Sequence, residues 1–139
     1  MRVVLDTNVV VSGIFFGGVP RAILEACEDG RLELVLSPTI FDEYVRTCDR
    51  LGESHPSLSY RAALLRLLGE GTMVEDPDLE PPVTRDLDDD KFMLCARQAG
   101  ASVVTGDQDL IEADGWSKVE VLTPRVMLDR LASAEGKQS

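Results

Sequence analysis

This chain of 139 residues has a single histidine, three cysteines and no apolar run long enough to span a membrane. Each scarcity removes a class of chemistry. His55 lies beside Pro56 in a polar break, distant in sequence from every acidic cluster, so an exposed loop role suits it better than general-base catalysis. Cys27, Cys48 and Cys95 are odd in number, widely spaced and set in segments that read as helical. Neither a disulfide framework nor a zinc ribbon follows from them, and they read as core fillers suited to a reducing cytoplasm. No Gly-x-Ser-x-Gly elbow offers a serine nucleophile, and no cysteine has a candidate histidine nearby. A Gly-x-x-x-x-Gly-Lys phosphate cradle is missing too. At the N-terminus, Asp6 and Asn8 interrupt the apolar stretch before it reaches secretory length.

Basic residues are also few, with 14 Lys and Arg against 25 Asp and Glu and a formal net charge of -11. Spread evenly, such a charge would repel a polyanion, because non-specific nucleic-acid affinity comes chiefly from Lys and Arg against phosphates. It is not even. From Glu75 to Asp90 eight acids face Arg85 alone, which reads either as a solvated acidic loop or as part of a metal pocket whose ions reverse the local sign. Arg21, Arg31, Arg46, Arg50, Arg61 and Arg66 are scattered over the first half, forming no dense basic stripe from which nucleic-acid contacts follow.

The length fits one domain, expected over residues 1–132 with 133–139 a disordered tail, and the 44% hydrophobic content is enough for an ordinary core. Strand and helix signals alternate. Strands are expected at 2–5, 32–36, 73–75, 102–105 and 119–122. Helices are expected over Val19 to Glu28, closed by Gly30, and from a Ser37-Pro38 cap to about Leu51. Others follow from Ser57 to Leu68, along the Phe92, Cys95, Ala96, Ala99 face up to Gly100, as a short turn at Leu110 to Ala113, and from Pro124 to about Ala132. Such alternation predicts an α/β fold, a mainly parallel sheet with helices on both faces.

Four acidic clusters punctuate this pattern: Asp6, Asp42 with Glu43, Asp86 to Asp90, and Asp107 with Asp109. Asp6 follows Val3-Val4-Leu5 and Asp107 follows Val103-Val104-Thr105-Gly106, so both stand at the carboxyl ends of strands, where open α/β sheets bind ligands. A turn-capping role for Asp6 is the structural alternative. Helical phase aligns Asp89 with Phe92 and Ala96 and turns Asp88 and Asp90 toward solvent or the helix N-terminus, although all three also suit the dipole of a first turn. Asp42 and Glu43 both flank the apolar stripe of their helix, and periodicity does not choose between them. Asp109, three residues before Glu112, has a capping-box alternative.

Together Asp6-Thr-Asn-Val, Ser37-Pro-Thr-Ile-Phe-Asp-Glu43-Tyr, Asp86-Leu-Asp-Asp-Asp-Lys-Phe92 and Val104-Thr-Gly-Asp107-Gln-Asp-Leu resemble the four ordered motifs of the PIN-domain family. The resemblance runs from residue 2 to about residue 131 and is strongest to the VapC-like toxin components of prokaryotic toxin–antitoxin pairs. It implies a three-layer α/β/α fold with a central five-stranded sheet, and a Mg²⁺- or Mn²⁺-dependent endoribonuclease acting in the cytoplasm. Carried over by position, Asp6, Glu43, Asp89 and Asp107 match the core acids, which selects Glu43 over Asp42. Asp109 matches an acid present in part of the family, and Asn8 and Thr105 match polar positions acting through the ligands or through water. Leu87 stands where the group usually has proline. The implied partners are RNA, a small antitoxin protein and a second copy of the chain, with no membrane.

Phosphodiester hydrolysis needs an activated water and relief of charge on the phosphate, and a pair of divalent ions roughly 4 Å apart supplies both without any histidine. Two rivals share the scaffold. A receiver-like signalling module also has an acidic pocket, but it wants paired acids after the first strand and a lysine after the last, where this chain has single Asp6 and Leu122-Thr123-Pro124. A non-catalytic PIN scaffold used for binding is the other.

Overall fold

The computed structural model describes residues 1–55, 59–78 and 89–138. Ser57 as a helix start, and Asp86, Leu87 and Asp88 with the rest of the acidic connection after residue 78, lie outside the described residues. Five strands form the sheet: β1 (Arg2–Leu5), β2 (Glu33–Leu36), β3 (Thr72–Met73), β4 (Ser102–Val104) and β5 (Val121–Leu122). Their order is β3-β2-β1-β4-β5 and all four pairings are parallel, with Val4 opposite Val103 and Val104 opposite Leu122. The order differs from the 2-1-3-4-5 of receiver-like modules. It reverses between β1 and β4, so the crevice at the carboxyl ends of those two strands is where a ligand site is expected.

Helices flank the sheet in a three-layer α/β/α arrangement: α1 (Thr7–Phe15), α2 (Gly18–Glu28), α3 (Pro38–Ser54), α4 (Tyr60–Gly69), α5 (Asp90–Ala99), α6 (Gln108–Ile111) and α7 (Pro124–Gln138). Helix α5 packs on β1, β2 and β4, while α1 packs against α2, α3 and α4, and α2 against α7. Strand side chains from Val3 to Leu5, Leu34 to Leu36, and Val103 and Val104 are buried, as parallel strands covered on both faces require. Among the described residues no single helix is long and apolar enough to cross a membrane.

Three departures from the sequence reading have physical causes. Helix α1 is absent from that reading, since Val9-Val10-Val11 favours strand; all three valines and Ile14 are buried, and Asp6 caps the helix by accepting from the Asn8 N–H. Helix α3 continues through Gly52 to Ser54, past the break expected there, because Gly52 gives way to a neighbour: a Cβ at this position would stand 2.2 Å from Cε1 of Tyr60. Helix α7 runs to Gln138, beyond the expected end at Ala132. Its start is set by Thr123, whose Oγ1 accepts from the Val126 N–H.

Candidate metal centre

The site is built from the ends of β1 and β4 and from the first turns of α1, α5 and α6, with α3 as its far wall. Asp6 leaves β1 buried at 4% exposure, and its backbone N–H donates to the Val104 carbonyl across the switch point at 3.0 Å. Thr105, fully buried after β4, ties two acids together. Its hydroxyl oxygen accepts from the Asp107 N–H at 2.9 Å, so its one proton goes to Oδ2 of Asp6, 2.7 Å away. Asp107 then caps α6, its Oδ1 accepting from the Asp109 N–H at 3.0 Å. The capping role expected of Asp109 therefore belongs to Asp107, and the Asp109 carboxylate is left for other contacts.

Asp89 precedes α5 and is buried, with no side-chain bond to the helix N-terminus. Carboxylate oxygens of Asp89, Asp107 and Asp109 lie within 4.8 Å of one another. Asp90, expected toward solvent or the helix N-terminus, stands in the first turn of α5 and is buried rather than solvent-facing.

Helix α3 is anchored by Ser37, whose Oγ accepts from the Ile40 N–H, and by fully buried Tyr44, whose hydroxyl donates to the Leu5 carbonyl at 2.5 Å. That docking brings the preceding residue to the site. Glu43 faces the cleft and Asp42 is exposed. Both oxygens of Glu43 are engaged: Oε2 accepts from the Thr7 hydroxyl, and Oε1 pairs with the Lys91 ammonium at 2.6 Å. Glu43 therefore shares the cleft without joining the close group of three. A cavity of about 290 Å³ opens here, lined by Asp6, Thr7, Asn8, Glu43, Arg46, Thr47, Arg50 and Asp89. Asn8 is exposed at its rim.

Burial raises the Asp6 carboxyl above its usual 3.8, hydrogen bonds from Thr105 and Asn8 oppose this, and the charges of Asp107 and Glu43 raise it further. Burial likewise lifts the Tyr44 hydroxyl well above its ordinary value, with Asp6 adding to the effect, so Tyr44 stays a neutral donor. Buried, free Cys27, Cys48 and Cys95 are pushed up to about 12, 11 and 11, each mainly by burial, and are inert thiols.

Lys91 is a site residue that the sequence did not point to, and Arg46 and Arg50 appear there only among scattered arginines from which no nucleic-acid contact follows. For the arginines a signal existed, since positions 43, 46, 47 and 50 share one helix face. Lys91 gave none, because its partner is remote in sequence.

The PIN domain family matches residues 2–109 of the chain. Uncharacterized protein MJ1680 of Methanocaldococcus jannaschii is 30% identical over 118 residues, covering 80% of this chain and 74% of that protein. Among solved structures, VapBC2 from Rickettsia felis bound to a DNA fragment from its promoter is similar, with TM-score 0.62 at 13% identity over 88% of this chain and 98% of that one. PAE2754 from Pyrobaculum aerophilum has TM-score 0.59 at 15% identity over 96% of this chain and 90% of that one. At such identities the likeness is one of fold.

Proposed function

This chain belongs to the PIN-domain family, and from that premise we propose that it is an endoribonuclease dependent on Mg²⁺ or Mn²⁺, hydrolysing RNA phosphodiester bonds in its carboxylate cleft. The observation that carries the reading is the meeting of Asp89, Asp107 and Asp109 within 4.8 Å at the switch point of the sheet, beside buried Asp6. The donor set fits the ion: every group is a carboxylate oxygen, as hard divalent cations prefer, and no thiol or imidazole competes. Buried Asp6 adds a carboxyl whose charge is disfavoured without a cation.

Asp89, Asp107, Asp109 and Asp6 would hold the ion, which when bound lowers the pKa of a water and offsets charge on the phosphate. Thr105 fixes the spacing of the Asp6 and Asp107 carboxylates by bonding to both residues. Thr7 and Lys91 orient Glu43 toward the cleft. Asn8 presents its amide at the rim, suited to a phosphate or a bound water. The four motifs and the likeness in fold to VapBC2 support a toxin role with a small antitoxin protein as partner.

The test is cleavage of a defined RNA with Mg²⁺ or Mn²⁺ and its products mapped. We expect activity lost in EDTA and in Asp6→Asn with the fold retained; cleavage persisting in EDTA overturns the reading. The Lys91 pair with Glu43 favours a second reading, a binding scaffold without turnover, because an ammonium already neutralises one acid. RNA bound but uncut in both metals would select it.

A further inference from the structure

The far wall of the cleft carries positive charge that the fold does not use. Helix α3 stacks Glu43, Arg46, Thr47 and Arg50 on the face toward Asp6 and Asp89, with Arg46 one turn and Arg50 two turns beyond the glutamate. Both arginines are exposed, and neither makes an ion pair or hydrogen bond among the described residues. Five other arginines are committed: Arg2 to Glu33, Arg21 to the Gly13 and Ile14 carbonyls, Arg31 to Asp29 and Glu135, Arg61 to Asp49, and Arg130 to Glu120, while open Arg66 and Arg125 lie outside this cleft. In a chain of net charge -11, acids are in excess as partners. Two open cations lining the same cleft as three carboxylates thus leave a place for an anion beside the place for a cation.

A phosphodiester is such an anion. At i, i+4 the two side chains rise from Cβ atoms about 5–6 Å apart on one line, so they follow a single backbone. Each guanidinium offers a fork that fits phosphate oxygens. A duplex presents two backbones, and no second row of cations lines this cleft among the described residues.

We propose that Arg46 and Arg50 form a phosphate clamp for one RNA strand, holding successive phosphates along α3 and feeding the backbone toward Asp6 and Asp89. Thr47, half-buried between them, adds a hydroxyl to the same track. The inference rests on the ribonuclease reading, since it concerns how that substrate is held.

The experiment measures affinity for a fluorescent single-stranded RNA across a salt series, using the full chain with Asp6→Asn to prevent cleavage. Adding Arg46→Ala and Arg50→Ala weakens binding by about tenfold or more, from the loss of two charged hydrogen-bonding groups. It also flattens the plot of log affinity against log salt by about 1.4, from roughly 0.7 for each phosphate contact on a single strand. Lysine at both positions restores the slope, and Arg66→Ala, on an exposed arginine outside this cleft, leaves affinity and slope unchanged. In the otherwise native chain the double alanine variant raises KM and changes kcat little. Unchanged affinity and slope in that variant, or an equal loss from Arg66→Ala, overturns the clamp while metal-dependent cleavage keeps the ribonuclease reading intact. A native chain that neither cuts nor binds RNA removes both.

Discussion

Asp6 holds its place against its own charge. Burial raises its carboxyl, more than the hydrogen bonds from Thr105 and Asn8 lower it, so the folded chain holds this proton more tightly than the unfolded one. The stability linked to it is complete below the unfolded value near 3.8 and is lost as pH rises through the raised folded value. Without metal, Asp6→Asn should therefore melt higher than the native chain at pH 7, the difference closing at pH 4, and should lose the rise in Tm that Mg²⁺ gives the native chain. A lower melting temperature at pH 7 contradicts this account of Asp6. Thr105→Val keeps the shape but leaves the buried Asp6 carboxylate and the Asp107 N–H short of a partner, lowering stability by about 1–3 kcal/mol in denaturant unfolding. Thr105→Ser restores it. Asp6 and Asp107 stand out in the sequence because each follows an apolar strand. Glu43 does not, since the bond from Tyr44 to the Leu5 carbonyl, together with its own contacts to Thr7 and Lys91, turns it inward and leaves Asp42 outside.

At the scale of elements, the strands and the caps are legible and the packing exceptions are not. Ser37-Pro38 opens α3, and Gly100 closes α5 in the left-handed conformation with φ 66, as local chemistry requires. Helix α1 is hidden because burial of four apolar side chains outweighs the strand preference of three valines, a tertiary effect that no window of sequence contains. Gly52 looks like a breaker and is instead a contact. Gly52→Ala forces a Cβ into the Tyr60 ring and should cost roughly 1–3 kcal/mol, and in a Tyr60→Ala background the same substitution should cost much less. Urea unfolding of the four chains measures that coupling, and additive costs would place the strain elsewhere. Ser37→Ala removes the cap of α3 and should cost about 1 kcal/mol.

For the molecule as a whole, part of the acidic excess lies in the carboxylate cleft, where the proposed cation would offset it, so that part does not oppose the proposed nucleic-acid role. Carboxylates from segments far apart in sequence gather at the point where strand order reverses, and a cation bound there would stabilise the fold that gathers them. With free Mg²⁺ or Mn²⁺ at about 100 times its Kd, the native chain gains about 2.7 kcal/mol, a gain that Asp107→Asn should reduce in thermal unfolding. A mainly parallel sheet with helices on both faces was readable from alternating strand and helix signals; the strand order and the pairing of Lys91 with Glu43 were not, since they depend on long-range packing, the latter on how α5 meets α3. Asp89 belongs both to the close group of acids and to the cleft lined by Arg46 and Arg50. The most direct measurement is cleavage of a defined single-stranded RNA by the native chain and by Asp89→Asn, each with Mn²⁺ and with EDTA. The account predicts cut products only from the native chain with metal, and equal cleavage by the folded Asp89→Asn variant would contradict it.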